Sequence, residues 1–314
     1  IRDVERSRGL GDVYKRQVAA ICEEVKQGKS IICMIDSVAH VKHLSAIAQK
    51  NNAVLPVCLD LDLSLSLPGV HFGVFRSPVN TVEKALAVFK EVQGTKHLKM
   101  NALMGYEAQV AGLGDHVPGQ GIKGIAIRML KKRSIKKVAE RRKAVVDALT
   151  AAGADLTIVN GGGTGSMEST RNEACVTEIA AGSGFFQSHL FDYYNNFKHE
   201  PAAGFAVEIV RQPQEGIWTC HGGGYVGSGA PGIDKVPIPY LPKGAKLHPN
   251  EAAGEVQTPL LYAGPEKLAL GDPVFFRHSK AGELCERFHH LDVIKDGKVV
   301  DQWATYRGEG QCFL

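Results

Sequence analysis

The sequence predicts an α/β protein: a parallel sheet with helices outside it, followed by a second, all-β domain. Three observations lead there. Apolar runs of strand length alternate with helical stretches from Val18 to about residue 200. One of these runs, Leu156-Thr157-Ile158-Val159, ends in the glycine-rich turn Asn160-Gly161-Gly162-Gly163-Thr164-Gly165-Ser166. Beyond His199-Glu200-Pro201 the helices thin out, and short strands separated by Gly/Pro-rich connections take over. Alternation of the first kind means a parallel sheet, open or closed into a barrel.

The first seventeen residues, Ile1 to Gln17, fit nothing downstream. They are dense in Arg and Asp, lack an apolar period, and carry no apolar core of a secretion signal. They are expected to be a non-native cloning or assembly scar. From Val18 onward, Ile31–Ile35 reads as a short buried strand and Val38–Lys50 as a helix. Val54–Asp60 is the next strand, Thr81–Val92 a helix, and Leu98–Gly105 a third strand. A long helical region centred on Ser134 to Ala152 leads into the glycine-loop strand, and Val176–Ala181 is the fifth. The expected division is residues 18–200 for the α/β domain and 201–314 for the β-domain. In the latter, Phe205–Arg211, Ile217–His221, Lys246–Pro249, Pro273–Phe276 and Leu291–Asp301 read as strands.

Composition excludes several function classes. The 314 residues are 44% apolar and 22% charged, with a net charge of +4, too balanced for a nucleic-acid or membrane partner. The one basic cluster, Lys131 through Lys143, is expected to be a solvated helix face. No apolar run approaches a membrane span. Seven cysteines, odd in number and without CxxC spacing, argue against a disulfide scaffold and for a reducing, cytosolic setting.

The chemistry-bearing pattern is the glycine turn. Successive glycines let backbone approach a ligand closely, and consecutive N–H groups make an anion site. The fifth strand also ends in a small-residue loop, Gly182-Ser183-Gly184, so two neighbouring loops are expected to hold one phosphate group. In a parallel barrel that pairing falls after the last strands.

These residues together resemble the fold-type III pyridoxal-phosphate (PLP) enzymes of the alanine racemase family, in particular their D-threonine aldolase and D-serine dehydratase branch. The resemblance runs from Val18 to the C-terminus. It is carried by Leu103-Met104-Gly105-Tyr106-Glu107, Asn160 to Ser166, Thr177 to Gly184, and Gly271 through His278. The segments Gly282 to Phe288 and Tyr306 to Gly310 add to it. It implies a PLP-binding (β/α) barrel, here partial with about five of eight strands, and a C-terminal all-β domain. It implies PLP as cofactor, a small amino-acid substrate and a homodimer. The phosphate would lie on Gly161, Gly162, Gly163, Thr164, Gly182, Ser183 and Gly184. Tyr106 would line the cofactor or substrate, and His71 would stand where relatives carry an arginine facing the pyridine nitrogen.

Two departures qualify the resemblance. The family's Schiff-base lysine sits at the end of the first barrel strand, and neither Lys99 nor Lys123 fits that context, so the chain reads as an N-terminally truncated, inactive member. Relatives bind a divalent metal through His-x-Asp or His-x-Cys, whereas this chain has His278-Ser279-Lys280 at that place. His278 is the candidate metal ligand and catalytic group, but an ammonium beside it cannot ligate. His289-His290-Leu291-Asp292 also looks ligand-like, yet adjacent strand histidines point to opposite faces. The expected activity is a PLP-dependent lyase acting on a small hydroxy amino acid. The alternatives are an amino-acid racemase, a non-catalytic PLP-binding protein, or an unrelated phosphate-binding barrel.

Overall fold

The computed structural model describes residues 10–229 and 232–311. They form two compact units, one of residues 10–115 and 120–181, the other of residues 116–119 and 182–311. Residues 182–200 therefore pack with the second unit. The short excursion 116–119 joins it too, with the His116 N–H donating to the Tyr193 carbonyl at 2.9 Å.

The first unit begins with α1 (Leu10–Lys26), β1 (Cys33–Ile35), α2 (Val38–Lys50) and β2 (Leu55–Asp60). The helix α1 starts inside the expected leader, because nothing between Asp12 and Gln17 breaks a helix; residues 1–9 lie outside the described residues. A two-stranded ribbon follows, β3 (Leu65–Leu67) and β4 (Val70–Phe72), turning at Gly69 with φ of 74°. Next come α3 (Val82–Gln93), β5 (Leu98–Gly105), the short α4 (Ala108–Ala111), α5 (Gly121–Ala151), β6 (Ile158–Gly161), α6 (Met167–Thr170) and β7 (Glu178–Ile179). Ser37 and Thr81 cap α2 and α3, each accepting the N–H three residues on.

The sheet runs β1-β2-β5-β6-β7, all parallel, so five strand C-termini line one edge. Its core is the inward faces of the strands, with Leu55, Val57, Leu59, Leu103 and Val159, packed on Leu44, Val88, Val145 and Leu149 of the helices. This is the parallel sheet that the alternation predicts, and it fits the partial barrel that the resemblance implies. The last strand is shorter than expected, two residues of the six between Val176 and Ala181.

The second unit opens with 3-10 turns at Gly182–Phe185 and His189–Tyr193, around a cluster of Leu190, Phe191, Tyr194 and Phe197. It continues with β8 (Phe205–Gln214), β9 (Ile217–His221), β10 (Ile238–Leu241), β11 (Lys246–Leu247), β12 (Gln257–Leu261) and β13 (Pro273–Arg277). After them come α7 (Ala281–Arg287), β14 (His290–Lys295) and β15 (Lys298–Ala304). Six strands make one antiparallel sheet in the order β10-β13-β8-β9-β12-β11, over a core of Phe205, Ile209, Cys220, Leu260, Val274 and Phe276. The single strand expected over Leu291–Asp301 is instead the hairpin β14–β15, turning at Asp296-Gly297, both with positive φ. Among the described residues, six cysteines are all free, and no helix is long and apolar enough to cross a membrane.

Candidate functional site

The C-terminal edge of the parallel sheet gathers the polar chemistry of the first unit. Parallel pairing sets Asp60 opposite Met104, Gly105 opposite Gly161, and Gly161 opposite Ile179. The residues that leave these strand ends are therefore neighbours: Tyr106 after β5 and the glycine turn after β6.

The turn can be built only from glycine at its centre. Gly162 has φ of 79°, a left-handed conformation that side chains rarely adopt. A Cβ at Gly163 would stand 3.2 Å from the Tyr106 ring and 3.1 Å from the Ala111 side chain. The tyrosine ring thus lies directly against the loop. The Gly163 N–H is spent inside the turn, donating to Ser166 Oγ at 3.1 Å, while Ser166 N–H donates to the Gly163 carbonyl at 3.0 Å. The N–H groups of Gly162, Thr164 and Gly165 take no protein acceptor among the described residues. Thr164 is buried within the turn. Three N–H groups in one tight glycine turn fit the phosphoryl end of PLP, and an aromatic ring against that turn fits the flank of a pyridine.

Beneath the turn lies a buried ionic network that the sequence did not disclose. Arg142 of α5 is fully buried, its guanidinium donating to Glu107 Oε2 at 2.7 Å and to the Gly105 carbonyl at 3.1 Å. Glu173 pairs with its other terminal nitrogen. The second Glu107 oxygen accepts the hydroxyls of Ser166, at 2.8 Å, and of Thr170. Burial, helped by Glu107 and opposed by Arg142, raises the Glu173 pKa.

A second pair stands at the end of β2. Arg76 Nε donates to both Asp60 carboxylate oxygens, at 2.8 and 3.2 Å, and its guanidinium carbon lies 5.9 Å from the Tyr106 ring centre. His71 is not at this strand end. It sits exposed on the β3–β4 ribbon, stacked on Phe75 at 4.2 Å, because the tight turn at Gly69 pairs it with Ser66 across the ribbon. The cation at this strand end is Arg76. Its partner is sixteen residues away, a separation that leaves no periodic signal in the sequence.

Neither lysine weighed from the sequence stands at a strand C-terminus. Lys99 lies at the start of β5 and pairs with Asp155 at 3.2 Å, and Lys123 is exposed in the first turn of α5. The cluster expected as a solvated face divides. Lys132, Arg133, Lys136, Lys137 and Lys143 are exposed, whereas Lys131 and Arg142 are buried. Arg141 donates to the carbonyls of Asp62 and Ser64.

The other predicted site residues belong to the second unit. Gly182, Ser183 and Gly184 form its first turn, with the Ser183 carbonyl accepting the Gln187 N–H at 3.1 Å. His278 follows β13 directly and is buried, with no well-aligned hydrogen bond at either ring nitrogen. Burial, reinforced by His189, pushes its pKa down to about 4. His189, buried beside it, is likewise lowered to about 4, mainly by burial, and bonds the Val236 carbonyl at 2.7 Å. Arg277 forms a two-pronged pair with Asp192 at 2.5 and 2.9 Å. Ser279 donates to the Asp234 carbonyl and Lys280 to Ser228. Among the described residues no group of three His, Cys, Asp or Glu side chains is placed to hold a metal ion. The residues around His278 therefore do not fit the divalent metal. His290 is exposed and lies 3.5 Å from Asp292 of its own strand.

No protein-family model matches the chain. Its overall fold is close to that of D-threonine aldolase from Filomicrobium marinum, with a TM-score of 0.75 at 17% identity, covering 94% of this chain and 73% of that one. D-threo-3-hydroxyaspartate dehydratase from Delftia sp. HT23 superposes with a TM-score of 0.70 at 16% identity, covering 93% and 76%. The chain has the fold of the fold-type III PLP enzymes. In sequence, 3-hydroxy-D-aspartate aldolase of Paracoccus denitrificans is 26% identical over 161 residues, 51% of this chain. The matched segment spans about a third, 36%, of that curated relative.

Proposed function

We propose that this chain is the cofactor-phosphate and β-domain portion of a PLP-dependent lyase that acts on a small D-amino acid carrying a β-hydroxyl. The observation that carries the reading is the glycine turn at the end of β6, with three uncommitted N–H groups and the Tyr106 ring against it. The substrate class is drawn from the similar proteins, whose names share a D-configured β-hydroxy amino acid.

Bound at the turn, PLP supplies an electron sink for the pair released at the substrate Cα. The chain's own residues do the rest. Gly162, Thr164 and Gly165 bind the phosphoryl group through backbone N–H, and the resemblance adds Gly161 to the set. Tyr106 flanks the ring. Arg76, held by Asp60, takes the ring-facing place expected of His71. No described lysine has the strand-end setting that covalent attachment requires, so the chain holds the cofactor without a covalent bond and does not turn over.

The test is to titrate the chain with PLP, reduce with borohydride and map the peptides by mass. The proposal expects saturable binding that inorganic phosphate competes, no specifically labelled lysine, and no cleavage of D-threonine or D-3-hydroxyaspartate. One labelled lysine with turnover would remove the non-covalent part. Absence of phosphate-competed binding in the folded chain would remove the whole reading.

A further inference from the structure

The buried network under the glycine turn has no counterpart in the chemistry above, and one branch of it, through Glu107, leads to the turn. Arg142 lies on α5, Glu107 follows Tyr106, and Ser166 and Thr170 belong to the turn and its short helix. From the guanidinium the contacts pass to Glu107 Oε2 at 2.7 Å, from Glu107 Oε1 to the Ser166 hydroxyl at 2.8 Å, and from Ser166 Oγ to the Gly163 N–H at 3.1 Å. The guanidinium also packs under Gly161, where a Cβ would come within 2.9 Å of it. The four groups that lead to the turn are buried: Arg142 is 0% exposed, Glu107 1%, Thr170 1% and Ser166 2%; Glu173, on the other side of the guanidinium, is half-buried.

We propose that Arg142 and Glu107 are positioning residues that, acting through Ser166, hold the 161–165 turn in the conformation that receives a phosphoryl group. This rests on the reading of that turn as the phosphate site. The physical argument is one of hydrogen-bond assignment. Ser166 has one proton to give. With the Glu107 side chain fixed by Arg142, that proton goes to its carboxyl oxygen, and the hydroxyl's lone pair is left for the Gly163 N–H. The Gly163 amide is then tied down, and Gly162, Thr164 and Gly165 are the amides that remain open to an anion. A hydroxyl free to rotate would instead release Gly163 and loosen the turn around its left-handed glycine. The carboxylate is needed as an acceptor on two hydroxyls at once, and the guanidinium holds it in place.

The probe is a matched pair, 4-deoxypyridoxine 5'-phosphate and 4-deoxypyridoxine. They share the ring, differ by the phosphate, and carry no aldehyde to react with lysines. Calorimetric titration of the full chain gives the affinity ratio between them, which reads the phosphate contribution alone. In the wild type the phosphorylated ligand is expected to bind at least about tenfold tighter, equivalent to roughly 1.4 kcal/mol. E107Q and R142K are expected to bring that ratio down toward unity, with little change for the unphosphorylated ring. S166A, which removes only the hydroxyl link, covers the case in which a charge variant fails to fold. A control substitution of an exposed neighbour, K136Q, should leave the ratio unchanged. If folded E107Q, R142K or S166A keeps the wild-type ratio, the network is structural and the inference is wrong. If the wild type itself binds both ligands equally, the phosphate-site reading fails first, and the inference with it.

Discussion

At the scale of single residues, the glycine turn and the buried histidines make separate predictions. Gly163→Ala places a methyl group 3.1 Å from Ala111 and 3.2 Å from the Tyr106 ring, so one of them must give way. Overpacking of this kind costs about 1–3 kcal/mol. It is expected to lower the urea midpoint and to weaken PLP binding by more than the stability loss explains, as a titration on the folded variant would show. His189 and His278 predict an acid dependence. Both imidazoles are neutral in the folded chain down to about pH 4, whereas an unfolded histidine takes its proton near its ordinary 6.5. The unfolded state therefore binds more protons between those values, and stability is full above pH 6.5 and falls as the pH drops toward 4. The loss is on the order of 3 kcal/mol per imidazole by pH 4. Urea midpoints at pH 7, 5.5 and 4.5 measure it, and His278→Leu should flatten the slope. A slope unchanged by that substitution would assign the acid lability elsewhere.

At the scale of elements, the sequence was legible where burial follows apolar residues and opaque where it does not. The helices α2 and α3 and the strand β5 stand where the periodicity puts them, since their buried faces are runs of Val, Leu, Ala and Phe. In α5 the buried positions recur every three or four residues, but the stripe reads Gly124, Ile127, Lys131, Ser134, Val138, Arg142, Val145 and Leu149. Half of its members are polar or glycine, so a rule based on apolar spacing takes the cations for a solvated face. The partners that let Arg142 lie inside, Glu107 and Glu173, are more than thirty residues away in either direction. The strand β12 is not among the strands read from the sequence; it carries Pro259, a residue uncommon inside a sheet, paired with Thr219. The helix α5 also gives a direct contrast. Leu149→Ala, at a fully buried position, should cost about 2–5 kcal/mol, whereas Lys136→Ala on the exposed side should stay within about 0.5 kcal/mol. Equal effects from the two would mean that α5 does not bury the face described.

At the scale of the whole molecule, the glycine turn and the sheet that carries it were both readable, because each is a local pattern. Arg76 and the Arg142 network were not, because they exist only once distant strand ends are brought side by side. The two units also have different optical signatures. Both tryptophans, Trp218 and Trp303, belong to the second unit, while the long helices α1, α2, α3 and α5 belong to the first. Tryptophan fluorescence therefore follows one unit and helical circular dichroism mainly the other. With both buried histidines in the second unit, the fluorescence transition is expected to move to lower urea before the dichroism transition as the pH falls below 6. Coincident transitions at every pH would show that the units unfold as one. The thiols allow the same question to be put chemically. In all six described cysteines burial raises the thiol pKa, to about 12 at Cys58 and Cys220. At neutral pH those thiols stay protonated and react slowly, whereas an opened chain exposes an ordinary thiolate. Alkylation at Cys58 and at Cys220, read by peptide mass over time, thus becomes a pair of clocks that record how often each unit opens.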